Sequence, residues 1–91
     1  MLNFGEAIEG LKAGKKLARE GWNGKNMWIV LMPALYLDAG VVNGRTSKHI
    51  GEGVDLDSQP YIAMFTTQGR WQPGWICSQS DLLAEDWQIV N

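Results

Sequence analysis

The chain has 91 residues, five of them tryptophan, with a formal net charge of −2 and an isoelectric point near 5.2. That length predicts a single domain over residues 1–91, whose one small core leaves it marginally stable unless assembly adds to it. The acidic balance excludes the phosphate-neutralising surface that polymeric nucleic acid requires. The lone cysteine, Cys77, excludes an internal disulfide, and no run reaches the roughly 20 apolar residues of a membrane span.

Asn3 and Glu6 have capping-box spacing, and Phe4, Ala7, Ile8 and Leu11 recur at helical intervals, which predicts an amphipathic helix over 3–13. Gly14 is the expected left-handed residue after it. Lys16-Leu17-Ala18-Arg19 alternates like a strand, and the Gly- and Asn-rich segment 21–26 is a structured turn. Met27–Met32 is a continuous apolar run stopped by Pro33, the pattern of a central strand buried on both faces. Residues 33–58 carry turn signals around a polar stretch and read as a long mobile loop with a short strand at Leu35-Tyr36-Leu37. Pro60–Thr66 alternates as a strand, Gln68-Gly69 turns the chain, and Arg70–Ile76 returns with a bulge at Pro73-Gly74. Ser78 opens a short helix through Ala84, and Trp87–Val90 closes as a strand. The fold class is therefore α+β, a mainly antiparallel sheet with the N-terminal helix on one face and a short C-terminal helix before the last strand.

The chemistry-bearing residues argue against catalysis. The sole histidine, His49, has no Ser or Cys nucleophile motif beside it and reads as an exposed loop imidazole. Cys77 and His49 together fall short of a zinc ligand set. Asp55 with Asp57 lacks the calcium-loop pattern, and Asp81, Glu85 and Asp86 read as helix capping and a solvated face. No catalytic residue, metal or cofactor is expected.

Arg19-Glu20-Gly21-Trp22-Asn23-Gly24-Lys25 is more informative. Two glycines let backbone amides approach an anion, Asn23 tolerates a left-handed conformation, Lys25 adds a point charge and Trp22 offers a flat apolar face. The same residues also describe a tight turn with a packed tryptophan, and the P-loop spacing is absent. Five indoles, each with an N–H needing a partner, exceed what a small core absorbs, so some belong at a binding surface or a subunit contact.

The sequence resembles the phage proteins known as Thoeris anti-defence proteins of the second type. The resemblance rests on Asn3–Glu9 with Leu11–Lys16, on Arg19–Lys25, and on the closing run Ser78-Gln79-Ser80-Asp81-Leu82-Leu83-Ala84-Glu85-Asp86-Trp87, and it covers nearly the whole chain. It implies a non-enzymatic sponge in the cytoplasm of the infected host. Such a sponge is a homotetramer, a dimer of dimers, that sequesters glycocyclic ADP-ribose and in some members cyclic dinucleotides. On that footing the expected ligand-binding residues are Trp22, Asn23, Gly24, Lys25, Ser78, Gln79, Asp81, Trp71 and Trp75, with Trp22 stacking a base and Asp81 accepting from a ribose hydroxyl or an adenine amine. Trp28 and Trp87 read as core. The alternative is a structural module whose tryptophans form an oligomer interface.

Overall fold

The computed structural model describes residues 1–22 and 26–91. Helix α1 (Phe4–Lys12) starts where the sequence places it. The Asn3 side chain accepts from the Glu6 N–H while Glu6 accepts in return from the Asn3 N–H, and these two bonds satisfy donors that the first helical turn leaves free. Gly14, at φ +84°, turns the chain out of the helix in a conformation that costs a Cβ-bearing residue energy.

Strands β1 (Lys16–Arg19), β2 (Trp28–Met32), β5 (Tyr61–Phe65), β6 (Trp71–Pro73) and β7 (Trp87–Val90) form one antiparallel sheet in the order β6-β5-β2-β1-β7. The register sorts the side chains onto two faces. Leu17 pairs with Ile29, which pairs with Met64, and these point toward α1; Trp28 pairs with Phe65, which pairs with Trp71, and these share the opposite face. Ala7 and Leu11 of α1 close over Leu17, Ile29 and Trp87 to make a core of wholly or almost wholly buried residues. The first and last segments pack together, with Leu2 and Trp87 exchanging two backbone hydrogen bonds of 2.7 and 3.0 Å.

Three expectations need correction. Strand β2 is central but not buried on both faces: Ile29 is fully buried under α1, while Trp28 and Val30 on the far face are half-buried because no helix covers that side among the described residues. Strand β6 ends at Pro73 instead of running to Ile76, and Trp75 returns to the sheet edge through its N–H to the Ile62 carbonyl at 2.8 Å.

Residues 33–58 are not a featureless loop. They form a two-stranded ribbon, β3 (Leu35–Leu37) with β4 (Leu56–Ser58), carrying a 3-10 turn (Ala39–Val41) and helix α2 (Gly44–Ile50) between them. Short polar side chains organise this arm. Asp38 accepts from the Gly40 N–H at 2.9 Å, Asn43 accepts from the Thr46 N–H at 2.8 Å, and Asp55 takes the Tyr36 hydroxyl at 2.6 Å and the Ala39 N–H at 2.8 Å. Helix α3 (Gln79–Leu82), capped by Ser78, leads into β7. Among the described residues no helix is long and apolar enough to cross a membrane.

Candidate functional site

Arg19 is the last residue of β1 and lies two positions beyond Leu17, so its side chain leaves the sheet on the α1 side, where a charge must be paired. Its guanidinium forks between two carboxylates. Nη1 donates to Asp81 Oδ1 at 2.8 Å, and Nε donates to Asp86 Oδ1 at 2.8 Å. Asp81 lies in α3, and Asp86 in the segment joining α3 to β7. The Ser78 hydroxyl accepts from the Asp81 N–H at 3.1 Å and fixes Asp81 in the first turn of α3.

The same acids hold the start of the β1–β2 turn. Asp86 Oδ2 accepts from the Gly21 N–H at 2.8 Å, and Asp81 Oδ1 accepts from the Trp22 indole Nε1–H at 2.9 Å. The Asp81 backbone carbonyl accepts from the Trp87 indole at 2.9 Å, so one residue satisfies two indoles. Trp22 stands edge-on to Trp87 at 5.3 Å and to Trp75 at 6.2 Å, the arrangement that ring quadrupoles favour. The electrostatics follow from these contacts. Burial works to raise Asp81, but hydrogen bonds from Arg19, Trp22 and Ser78 outweigh it and hold the carboxyl below its ordinary value. The Arg19 hydrogen bond does the same for Asp86, and the two acids in turn raise the guanidinium.

A cleft of about 460 Å³ opens beside this network. Its walls are Ala18, Arg19 and Glu20 of the β1 end, Trp22, the segment Asn26–Trp28, and Gln88, Val90 and Asn91 of the last strand and its end. The Trp28 ring is occupied on its faces by neighbours. Phe65 stacks on it at 4.5 Å with an interplanar angle of 18°, and the Lys16 ammonium lies 4.8 Å from its centroid. Its buried Nε1–H has no hydrogen-bond partner among the described residues. A cleft of this size is in the range that holds small ligands, and its mixed indole, amide and charged lining suits a planar, polar molecule.

The residues expected from the sequence are distributed unevenly. Trp22 lines the cleft, Asp81 lies behind it, and Trp75 packs on Trp22. Asn23, Gly24 and Lys25 lie outside the described residues, in the segment joining two residues of the cleft wall. Ser78 and Gln79 are exposed at the start of α3. Trp71 is on the edge strand β6 at the other end of the sheet, 52% exposed and edge-on to Phe65 at 5.1 Å.

Sequence reasoning missed Arg19 as a clamp and took Asp86 for part of a solvated face. The available signal was the position of Arg19, two residues after a core leucine, together with two acids flanking a short helix. Trp28, Gln88 and Asn91 were also missed, because only the register brings the ends of β2 and β7 to one place. Among the described residues no group of three or more His, Cys, Asp or Glu is placed to hold a metal ion, and His49 lies in the last turn of α2 on the arm.

Together these features define a small α+β fold in which a clamped aromatic turn walls a cleft of small-ligand size. The chain belongs to the Thoeris anti-defense 2-like family, whose domain model matches residues 2–90. It is 41% identical over 92 residues to Thoeris anti-defense 2 of Bacillus phage SP01, a comparison that covers 99% of this chain and 96% of that protein.

Proposed function

We propose that the protein is a phage anti-defence sponge: it binds and sequesters a cyclic nucleotide immune signal, glycocyclic ADP-ribose or a cyclic dinucleotide, and releases it unchanged. Family membership supports a role against bacterial defence. The observation that carries the ligand class is the cleft beside the end of β1, with Trp22, Asn26 and Trp28 in its wall; in sequence, Asn23-Gly24-Lys25 joins two of these residues. Backbone amides at a Gly-flanked turn with one lysine suit a pyrophosphate, and an indole face suits a base.

The energetics require both. Stacking supplies about 1–3 kcal/mol per base, whereas nanomolar sequestration needs about 12 kcal/mol. Phosphate and ribose contacts must supply most of the difference; Gln88 and Asn91 line the cleft, and Lys25 directly precedes Asn26 of its wall in sequence. Asp81 serves this reading from behind, by holding Trp22. The protein acts in the host cytoplasm as a homotetramer.

The alternative, tryptophans serving as an oligomer interface, has less support, because Trp22, Trp75 and Trp87 satisfy one another within the protomer. The deciding experiment incubates the pure protein with glycocyclic ADP-ribose or with cyclic dinucleotides, removes free ligand, and heats the complex. Intact nucleotide in the supernatant, after a thermal shift on binding, is the expected result. No recovered nucleotide and no shift would overturn the sponge, and a cleaved product would make the protein an enzyme.

A further inference from the structure

The floor of the cleft lies on the face of the sheet opposite α1. Ala18 pairs with Gln88, and the Leu17–Ile29 pairing sets Trp28 on the other side of Ala18. A methyl group between an indole and a carboxamide leaves a depression there. The β1–β7 ladder continues one residue beyond the strand, through the Glu20 N–H to the Asp86 carbonyl at 3.1 Å. Alternation therefore sends Arg19 to the α1 side and Glu20 to the face of Ala18, where it joins the cleft wall. The electrostatics of this end do not suit a phosphate. Arg19 is the one cation among the described residues of the wall, and Asp81 and Asp86 already share its guanidinium. Three carboxylates thus stand against one guanidinium, and a phosphate placed beside Glu20 meets like charge. The wall offers acceptors instead: the exposed Glu20 carboxylate and the carboxamide oxygens of Gln88 and Asn91.

We infer that Glu20 is a specificity-determining residue of the cleft: its carboxylate accepts from a ribose hydroxyl of the bound signal and turns phosphates away from the β1 end. The inference rests on the sponge reading above and assigns one polar contact within that site. A carboxylate that accepts from a ribose hydroxyl reads the sugar and, by like-charge repulsion, refuses a phosphate in its place. Asp81, expected from the sequence to take that role, has its Oδ1 engaged by Arg19 and Trp22. Glu20 is the acid that lines the cleft. Its charge also fixes the direction of the ligand, whose donor-bearing sugar faces Glu20 while its phosphates lie away from it.

The sign of one substitution tests it. Removing a negative charge from a cleft that takes an anionic ligand ordinarily raises affinity, most at low salt. Glu20→Gln should instead lower it by about tenfold or more, the loss of a charge-assisted hydrogen bond, with the thermal midpoint unchanged because the side chain is exposed. Calorimetric titration is made with whichever of glycocyclic ADP-ribose and the cyclic dinucleotides the wild type retains, and with analogues of it lacking one ribose hydroxyl each. One deoxy analogue should bind the wild type more weakly by a similar factor and lose nothing further on Glu20→Gln, which a merely structural effect of the substitution would not produce. Unchanged or raised affinity in the variant overturns the inference while leaving the sponge standing, and so do deoxy analogues that lose equally on both proteins. A wild type that retains none of these nucleotides defeats the sponge and the role of Glu20 with it.

Discussion

The Trp22 indole donates to Oδ1 of Asp81 at 2.9 Å, and the same oxygen accepts from Arg19 at 2.8 Å. One carboxylate oxygen therefore ties the end of β1 and the wall of the cleft to α3. The side chains of Arg19 and Asp81 are only 18% and 12% exposed, so removing one leaves the other poorly solvated. Asp81→Ala should cost about 2–4 kcal/mol, read as a lower midpoint in urea unfolding with an unchanged m-value. A double-mutant cycle of Asp81→Asn with Trp22→Phe should give a coupling of about 0.5–2 kcal/mol. Strict additivity would show that the shared oxygen does not couple them.

Acid should undo this network before it undoes the core. Asp81 and Asp86 are both held below the ordinary carboxylate value: for Asp81 the hydrogen bonds prevail over burial, and for Asp86 the bond from Arg19 leads. A carboxyl with a depressed folded value adds stability wherever it is ionised in the unfolded chain, above about pH 3.9, and that contribution is lost as pH falls through the folded value. The urea midpoint should stay level from neutral pH to about 5 and drop below about 4. Asp86→Asn should lower the plateau and flatten the drop. An unchanged slope in the variant would remove Asp86 from the account.

Gly21 is fixed by proximity. A Cβ there would meet Asp86 Oδ2 at 2.8 Å and Arg19 Nη2 at 3.2 Å. Asp86 cannot yield freely, because its other oxygen is held by Arg19 and Oδ2 itself accepts from the Gly21 N–H. Gly21→Ala should therefore destabilise by about 1–3 kcal/mol, the range for a local clash with lost pairing. It should also weaken ligand retention, by displacing Trp22 in the wall of the cleft. Wild-type stability and retention together would mean that the turn tolerates the shift.

Much of the fold could be read from the sequence, because local rules and tertiary packing agree there. Asn3 and Glu6, Gly14, Lys16–Arg19, Ser78 and Trp87–Val90 all lie where their capping and alternation place them. The arm was misjudged for a physical reason: Asp38, Asn43 and Asp55 are the residues that mark loops, and here they cap a turn and a helix and brace Tyr36. At the site, Trp22 was visible as the one aromatic within a glycine-rich turn. The clamp was not, because Arg19 meets its acids across 62 and 67 residues of chain, and no local pattern encodes that. Asp81 was read as a ligand contact from its place in the closing run; its Oδ1 is engaged by Arg19 and Trp22 inside the protomer.

Trp28 offers the sharpest separation of stability from binding. Its Nε1–H is buried without a partner among the described residues, while Phe65 and Lys16 hold its ring. An unpaired buried donor lowers stability, and replacing it with an apolar group removes the penalty. Trp28→Phe keeps an aromatic ring between Phe65 and Lys16, so the loss of ring area and the relief of the orphaned donor oppose each other, and the net change in stability should be small. If the donor is reserved for an oxygen of the bound signal, the same substitution removes about 1–1.5 kcal/mol from binding, a roughly five- to tenfold weaker affinity. Titration calorimetry alongside thermal unfolding would resolve the two. A stable variant with full affinity would show that the ligand does not use this donor, and a variant that loses both in proportion would make Trp28 a structural residue of the sheet.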